Sequence, residues 1–277
     1  MAWPRRTRIM LVTGSTGYLG RHLLTGHAVD RWELIAPSSK SIDIRHRDFT
    51  IEAIRDWKPN VVVHLAYDKA DRTAIVDGSA NVADGAVAAK ARLIHMSSDV
   101  VFPGQLSPYR EEDPTRPVFP YGRFKRDAEL EVQQRDPGAV IIRTSLLYGT
   151  ARPSPLQTQL ADLGRTAAGR RAITWFTDEI RCPAHADDVA DAIGKLASNS
   201  SVSGPLHVAG PESVSRAKLA RLMLKHMGYP DDDLVTSTIE ESGMQRPTKV
   251  ILDVGKAASM GITCRPVSEV LAAERPG

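Results

Sequence analysis

Tyr121 and Lys125 are the two side chains whose spacing has the clearest chemical use. If 121–135 is helical, they form an i, i+4 pair on one face. A phenol with a pKa of about 10 is a poor acid-base group at neutral pH, and a neighbouring ammonium favours its phenolate. Such a tyrosine donates a proton to a carbonyl oxygen as hydride arrives, or removes one in reverse. The lysine has the reach to hold a nicotinamide ribose as well. A YxxxK spacing is common by itself; here it gains weight by following a strand and a Pro-rich loop, far downstream of a glycine motif. Ser98, in Ser97-Ser98-Asp99 at the end of a strand-like run, adds a hydroxyl suited to polarising a substrate carbonyl. The alternative for Ser98 is a cap or turn serine.

The glycine motif is Thr13-Gly14-Ser15-Thr16-Gly17-Tyr18-Leu19-Gly20, between a strand-like run and a helix-like one. Gly14 permits a tight turn, Gly17 admits a pyrophosphate to the backbone, and Gly20 allows close packing of helix on strand. The helix N-terminus, with its unpaired N–H groups, favours the anion. The spacing predicts dinucleotide binding. The second strand ends in Pro37-Ser38-Ser39-Lys40 with no acid for a ribose 2′-hydroxyl. Ser38, Ser39 and Lys40 suit a 2′-phosphate instead, which favours NADP(H) over NAD(H), NAD(H) remaining an alternative. Asp43 and Ile44 follow as a segment that borders an adenine.

Apolar, unalternating runs at 8–13, 33–36, 61–66, 92–97 and 139–144 predict strands covered on both faces. Helix-like stretches at 18–29, 50–58, 77–89 and 121–135 lie between them, and a further helix and strand are predicted at 187–197 and 206–209. The alternation predicts an α/β fold, a doubly wound parallel sheet of Rossmann type with a small discontinuous C-terminal substrate lobe. By this reading 1–150 and 187–210 form the cofactor-binding core, and 151–186 and 211–277 the substrate lobe. Residues 99–120 hold Pro103, Pro108, Pro114, Pro117 and Pro120 and read as a loop where open α/β sheets bind ligands.

The chain has 277 residues, 36 basic against 33 acidic, for a net charge of +3, which gives no argument for nucleic-acid binding. Arg5, Arg6 and Arg8 form a basic cluster that reads as a solvated lead-in to the first strand. No run after Met10 is long enough for a signal core or a membrane span. Two cysteines, Cys182 and Cys264, suit a reducing cytoplasm, and the scattered histidines predict no metal site.

Together these residues resemble the extended short-chain dehydrogenase/reductase superfamily, and within it the dTDP-4-dehydrorhamnose reductase family. The resemblance covers nearly the whole chain: TGSTGYLG at 13–20, SIDI at 41–44, PNVVVHLAY at 59–67, HMSSDVVFPG at 95–104, YREEDPTRPVFPYGRFK at 109–125, VIIRTSLLYG at 140–149 and CPAHADDVADAI at 182–193. It implies a catalytic set of Ser98, Tyr121 and Lys125. It also implies cofactor contacts from Gly14, Thr16, Gly17, Tyr18, Leu19 and Gly20 at the phosphates, from Asp43 and Ile44 at the adenine, and from Leu65, Ala66 and Tyr67 on the ribose side. Asn81 falls where many members hold a structural or catalytic Asn. Departures are Val100, where the family has Tyr, and His64-Leu65 in place of Asn-Ala. The implied activity is NADP(H)-dependent reduction of a keto group on a nucleotide-linked sugar, with a homodimer as the assembly found in relatives. Alternatives are a nucleotide-sugar epimerase or dehydratase with tightly bound NAD, and a non-catalytic NADP-binding regulatory subunit. For the pyrophosphate of such a substrate, Arg143, Arg152, Arg170, Arg171 and Arg181 are candidates.

Overall fold

The computed structural model describes residues 8–105 and 108–273. Arg5 and Arg6 lie outside the described residues. Arg8 opens the first strand, and its guanidinium lies 4.4 Å from the centre of the Trp32 ring rather than in solvent alone.

Packing divides the chain into two compact units. The first gathers the residues up to Ser97, Phe124–Ile142 and Ala190–Leu206. It is built on a six-stranded parallel sheet. Its strands are β1 (Arg8–Thr13), β2 (Trp32–Ile35), β3 (Val61–His64), β4 (Arg92–Ser98), β5 (Val140–Thr144) and a last strand, Gly204–His207. Their order across the sheet is Gly204–His207, β5, β4, β3, β1, β2. Direction along the sheet reverses between β1 and β3, which pair in parallel with Thr13 opposite His64. Such a reversal opens a crevice at the carboxyl ends of the two strands. Val61, Val62 and Val63 are almost completely buried, so β3 needs no polar alternation.

The helices of this unit are α1 (Tyr18–Thr25), α2 (Arg47–Trp57) and α3 (Arg72–Ala88), together with α4 (Pro120–Arg135) from Phe124 onward and Ala186–Ser198 from Ala190 onward. The predicted helix 18–29 breaks at Gly26, which adopts an extended conformation (φ −86, ψ 154) before a short 3-10 turn, His27–Val29. Helix α3 starts five residues earlier than predicted because the Asp71 carboxylate accepts a hydrogen bond from Ala74 N and caps it. Gly78 and Gly85 let Ile44 and Ile54 pack onto α3, since a Cβ at either glycine would lie under 3 Å from an isoleucine Cδ1.

The second unit gathers Ser98–Arg123, Arg143–Val189 and the residues from His207 onward. It therefore includes 98–123, 143–150, 187–189 and 207–210, which the sequence places with the core. The reason is local packing. The Phe102 and Tyr109 rings stack 4.3 Å apart in a buried cluster with Val101, Cys182, Ala209, Val250 and Leu252. The Tyr109 hydroxyl accepts hydrogen bonds from Gly104 N and Gln105 N. The Pro-rich stretch is thus mostly loop, as its prolines require, but carries a 3-10 turn at Asp99–Val101 and a single bridge from Tyr109 to Leu252. Among the described residues no helix is long and apolar enough to cross a membrane, and no three His, Cys, Asp or Glu side chains form a group that could hold a metal ion.

Candidate active site

The glycine turn is built as a cradle. Gly14 has φ +70, and a Cβ there would sit 2.5 Å from Ala66 N and 2.6 Å from the Leu65 carbonyl carbon, so the chain leaving β1 runs directly against the chain leaving β3. Gly17 N donates to Gly14 O at 3.0 Å. Gly17 is also the N-cap of α1 and offers no side-chain acceptor to the N–H groups of the first turn. At Gly20 a Cβ would lie 2.5 Å from Gly14 O. Leu19 is buried and packs inward, so it reaches an anion only through its backbone. Tyr18 sets its ring edge-on to His22, 4.7 Å away, and the Thr16 carbonyl accepts from Arg21 Nε.

After β2, Ser38 closes a turn: its carbonyl accepts from Ser41 N and Ile42 N, and its hydroxyl is 3.3 Å from that of Ser41. Ser39 and Lys40 are exposed. The first carboxylate after the strand, Asp43, is already matched by the Arg45 guanidinium, which holds its pKa down to about 2 and also pairs with Asp71. Ile44 is buried, and its carbonyl accepts from Asn81 Nδ2 at 2.8 Å. Asn81 therefore fixes the 43–45 segment. This arrangement gives one prediction. Ser39→Asp combined with Lys40→Ala lowers the ratio of NADPH to NADH affinity by about tenfold or more, measured by paired fluorescence titrations, because a carboxylate repels a 2′-phosphate and accepts from a 2′-hydroxyl.

At the exit of β3, the Thr13 Oγ1 and His64 Nδ1 atoms lie 2.7 Å apart, and His64 Nε2 is 3.1 Å from Ser79 Oγ. Ser79 gives its own proton to Ile75 O, so it accepts from His64 Nε2, and Nδ1 accepts from Thr13. Burial, with Lys125 nearby, pushes the His64 pKa down to about 3. The neighbouring His95 ring, 5.3 Å away, is driven well below its ordinary value by burial, and neither of its ring nitrogens has a hydrogen-bond partner. Both imidazoles are neutral when folded and protonate on unfolding below pH 6.5. Stability therefore falls as pH drops from about 6.5 toward 3. Urea denaturation across that range should show the slope, and His95→Leu should flatten it while raising stability at pH 7 by about 1 kcal/mol.

Helix α4 carries Tyr121 in its first turn and Lys125 one turn later. Tyr121 is half-buried, its ring 6.3 Å from that of Phe119. Gly122 lets the helix start lie against the chain, since a Cβ there would be 2.5 Å from Val100 O. Lys125 is buried, donates from Nζ to Met96 O at 2.9 Å, and lies 4.9 Å from the centre of the half-exposed Tyr67 ring. Burial lowers its pKa to about 8, against a raising effect from Glu129.

Ser98 caps the Asp99–Val101 turn. Its hydroxyl donates to Asp99 Oδ1 at 3.2 Å and accepts from Val100 N at 3.5 Å. Asp99 is buried, which raises its pKa; it also accepts from Ser145 and lies 3.7 Å from Arg181 Nε. Four arginines considered for a pyrophosphate are engaged inside the second unit. Arg143 donates to Glu111 O and lies over Phe102. Arg170 and Arg171 share Asp233, and Arg181 donates to the carbonyls of Ile180, Pro247 and Thr248. Their role is to tie chain segments together. Residues that sequence reasoning passed over are Glu129, which shares a face with Lys125, and the Thr13–His64–Ser79 chain. An i, i+4, i+8 stripe from Tyr121 was the available signal for the first; nothing local signals the second.

A parallel sheet with its crevice at the β1/β3 reversal, a glycine turn packed on the β3 exit, and a Tyr-Lys pair on the helix after β4 define a protein of Rossmann-type fold. The chain belongs to the RmlD substrate binding domain family, whose model matches residues 7–273. It is 29% identical over 277 residues to methionine adenosyltransferase 2 subunit beta of Pongo abelii, covering 92% of this chain and 83% of that one. It is 32% identical over 223 residues to a probable dTDP-4,6-dihydroxy-2-methyloxan-3-one 4-ketoreductase of Streptomyces antibioticus, covering 76% and 74%. In fold it matches dTDP-4-dehydrorhamnose reductase of Bacillus anthracis in complex with NADP, at a TM-score of 0.86 and 24% identity over 97% of this chain and 98% of that one.

Proposed function

We propose that this chain is an NADP(H)-dependent reductase acting on a keto group of a nucleotide-linked sugar. The observation that carries the reading is the buried Lys125 ammonium one helical turn from Tyr121, on a helix that follows β4. The residues fit a dinucleotide: the glycine cradle is one that a Cβ would fill, the α1 N-terminus has no side-chain cap, and hydroxyls with a lysine stand where an NAD site places an acid. Gly14, Gly17 and Gly20 with Thr16, Tyr18 and Leu19 would hold the pyrophosphate, Ser38 and Ser39 a 2′-phosphate, and Asp43 and Ile44, braced by Asn81, the adenine. Leu65, Ala66 and Tyr67 would line the ribose. A bound nicotinamide supplies the hydride. Tyr121 protonates the carbonyl oxygen. Lys125 favours the phenolate form of Tyr121 and holds the ribose hydroxyls. Ser98 turns its hydroxyl from Asp99 to the carbonyl and steadies the charge that develops there. The second unit would carry the sugar-nucleotide site.

The likeness to methionine adenosyltransferase 2 subunit beta over 92% of the chain favours a second reading, an NADP-binding subunit that serves another enzyme. NADPH consumption, followed by absorbance with a panel of keto-sugar nucleotides, separates the two. Turnover on a dTDP-linked ketosugar supports the reductase. Tight NADPH binding without turnover on any member of the panel overturns it in favour of the subunit.

A further inference from the structure

The stripe begun by Tyr121 and Lys125 continues one turn further along α4, to Glu129. Glu129 is only 4% exposed, as is Lys125. A carboxylate this deeply buried costs stability unless it is paired and hydrogen-bonded. It accepts a short hydrogen bond from Ser97 Oγ, at the end of β4. Among the described residues, the groups around Lys125 include the neutral imidazoles of His64 on β3 and His95 on β4, the Met96 carbonyl and the Tyr67 ring, with Tyr121 one turn back on its own helix. Burial drives this ammonium toward losing its proton, and Glu129 is the carboxylate that opposes the loss.

We propose that Glu129, held by Ser97, is a positioning residue that keeps the Lys125 ammonium charged and so sets the alkaline limit of the site. The inference rests on the reading of Lys125 as partner of Tyr121 and anchor of the cofactor ribose. The Ser97 hydroxyl holds the carboxylate in place. The carboxylate, one turn from the ammonium, stabilises the cation. The cation then acts on Tyr121. Glu129 touches no reacting atom; it acts through Lys125.

Glu129→Gln keeps the shape and removes the charge. Two measurements read the result: the Lys125 titration, by NMR of lysine-labelled protein without cofactor, and NADPH affinity from roughly pH 6 to 10, by fluorescence quenching. The Lys125 midpoint and the alkaline fall of affinity should both move down by about one pH unit. Ser97→Ala should move them the same way by less. A Lys125 midpoint unchanged in Glu129→Gln overturns the proposal, and so does an affinity loss by the same factor at every pH, which marks a purely structural role. Should Glu129→Gln not fold, an unmoved midpoint in Ser97→Ala overturns it instead. Failure of the underlying reading looks different: Lys125→Met would then bind NADPH as the unaltered protein does at every pH.

Discussion

Tyr121→Phe is expected to lower turnover by about 10²–10⁴-fold while leaving NADPH affinity within about twofold. The substitution removes one oxygen. The ring remains, with its neighbour Phe119, and the backbone of α4 is untouched. In the proposed reaction, what disappears is the proton that the carbonyl oxygen must acquire as hydride adds to its carbon. Because that proton moves only on the way to the transition state, the loss falls on kcat rather than on cofactor binding. Steady-state kinetics with a keto-sugar nucleotide that the unaltered protein reduces, alongside a fluorescence titration with NADPH, provide the check. A variant that kept its rate would mean that the proton comes from another group.

Gly14→Val should abolish measurable NADPH binding and lower folding stability by about 3 kcal/mol or more. Two causes add. Position 14 has φ +70, a conformation that costs a side chain about 1–2 kcal/mol. Any Cβ there also meets the backbone at Ala66 and Leu65 rather than a yielding side chain, so β1 and β3 exits must part. Gly17→Ala is the control. Its Cβ would lie 3.1 Å from Gly14 O, a tight contact relieved by a shift of a few tenths of an ångström, so the stability loss should stay well below that of Gly14→Val while the added methyl stands where a pyrophosphate would approach. Urea denaturation and NADPH titration of both variants separate damage to the fold from damage to the site.

The parts of this protein legible in its sequence are those whose partners are close in the chain. Strands buried on both faces announce themselves as unbroken Val, Ile and Leu runs, and β1 falls on 8–13 as predicted. Three glycines between a strand and a helix, and a tyrosine four residues before a lysine, need no distant information to be noticed. Lone side chains with distant partners were hidden. That Ser97 meets Glu129, or Thr13 meets His64, depends on sheet register and helix placement that spacing does not reveal. Arg181 shows the reverse error. Its guanidinium looked free for a phosphate, yet it serves three carbonyls of its own unit. A proline-dense stretch around Tyr109 likewise hid a pair of stacked rings, since a loop's own small core leaves no periodic trace.

The buried amide of Asn81 holds a loop from a distance. The stretch 43–45 is short and lacks regular structure, yet its backbone is pinned from outside by a side chain on α3. The flanking Asp43 and Arg45 add a second tie, since Arg45 pairs with Asp43 and with Asp71 at the start of α3. Loss of that one distant amide would release the backbone at Ile44, however well the stretch's own side chains were kept.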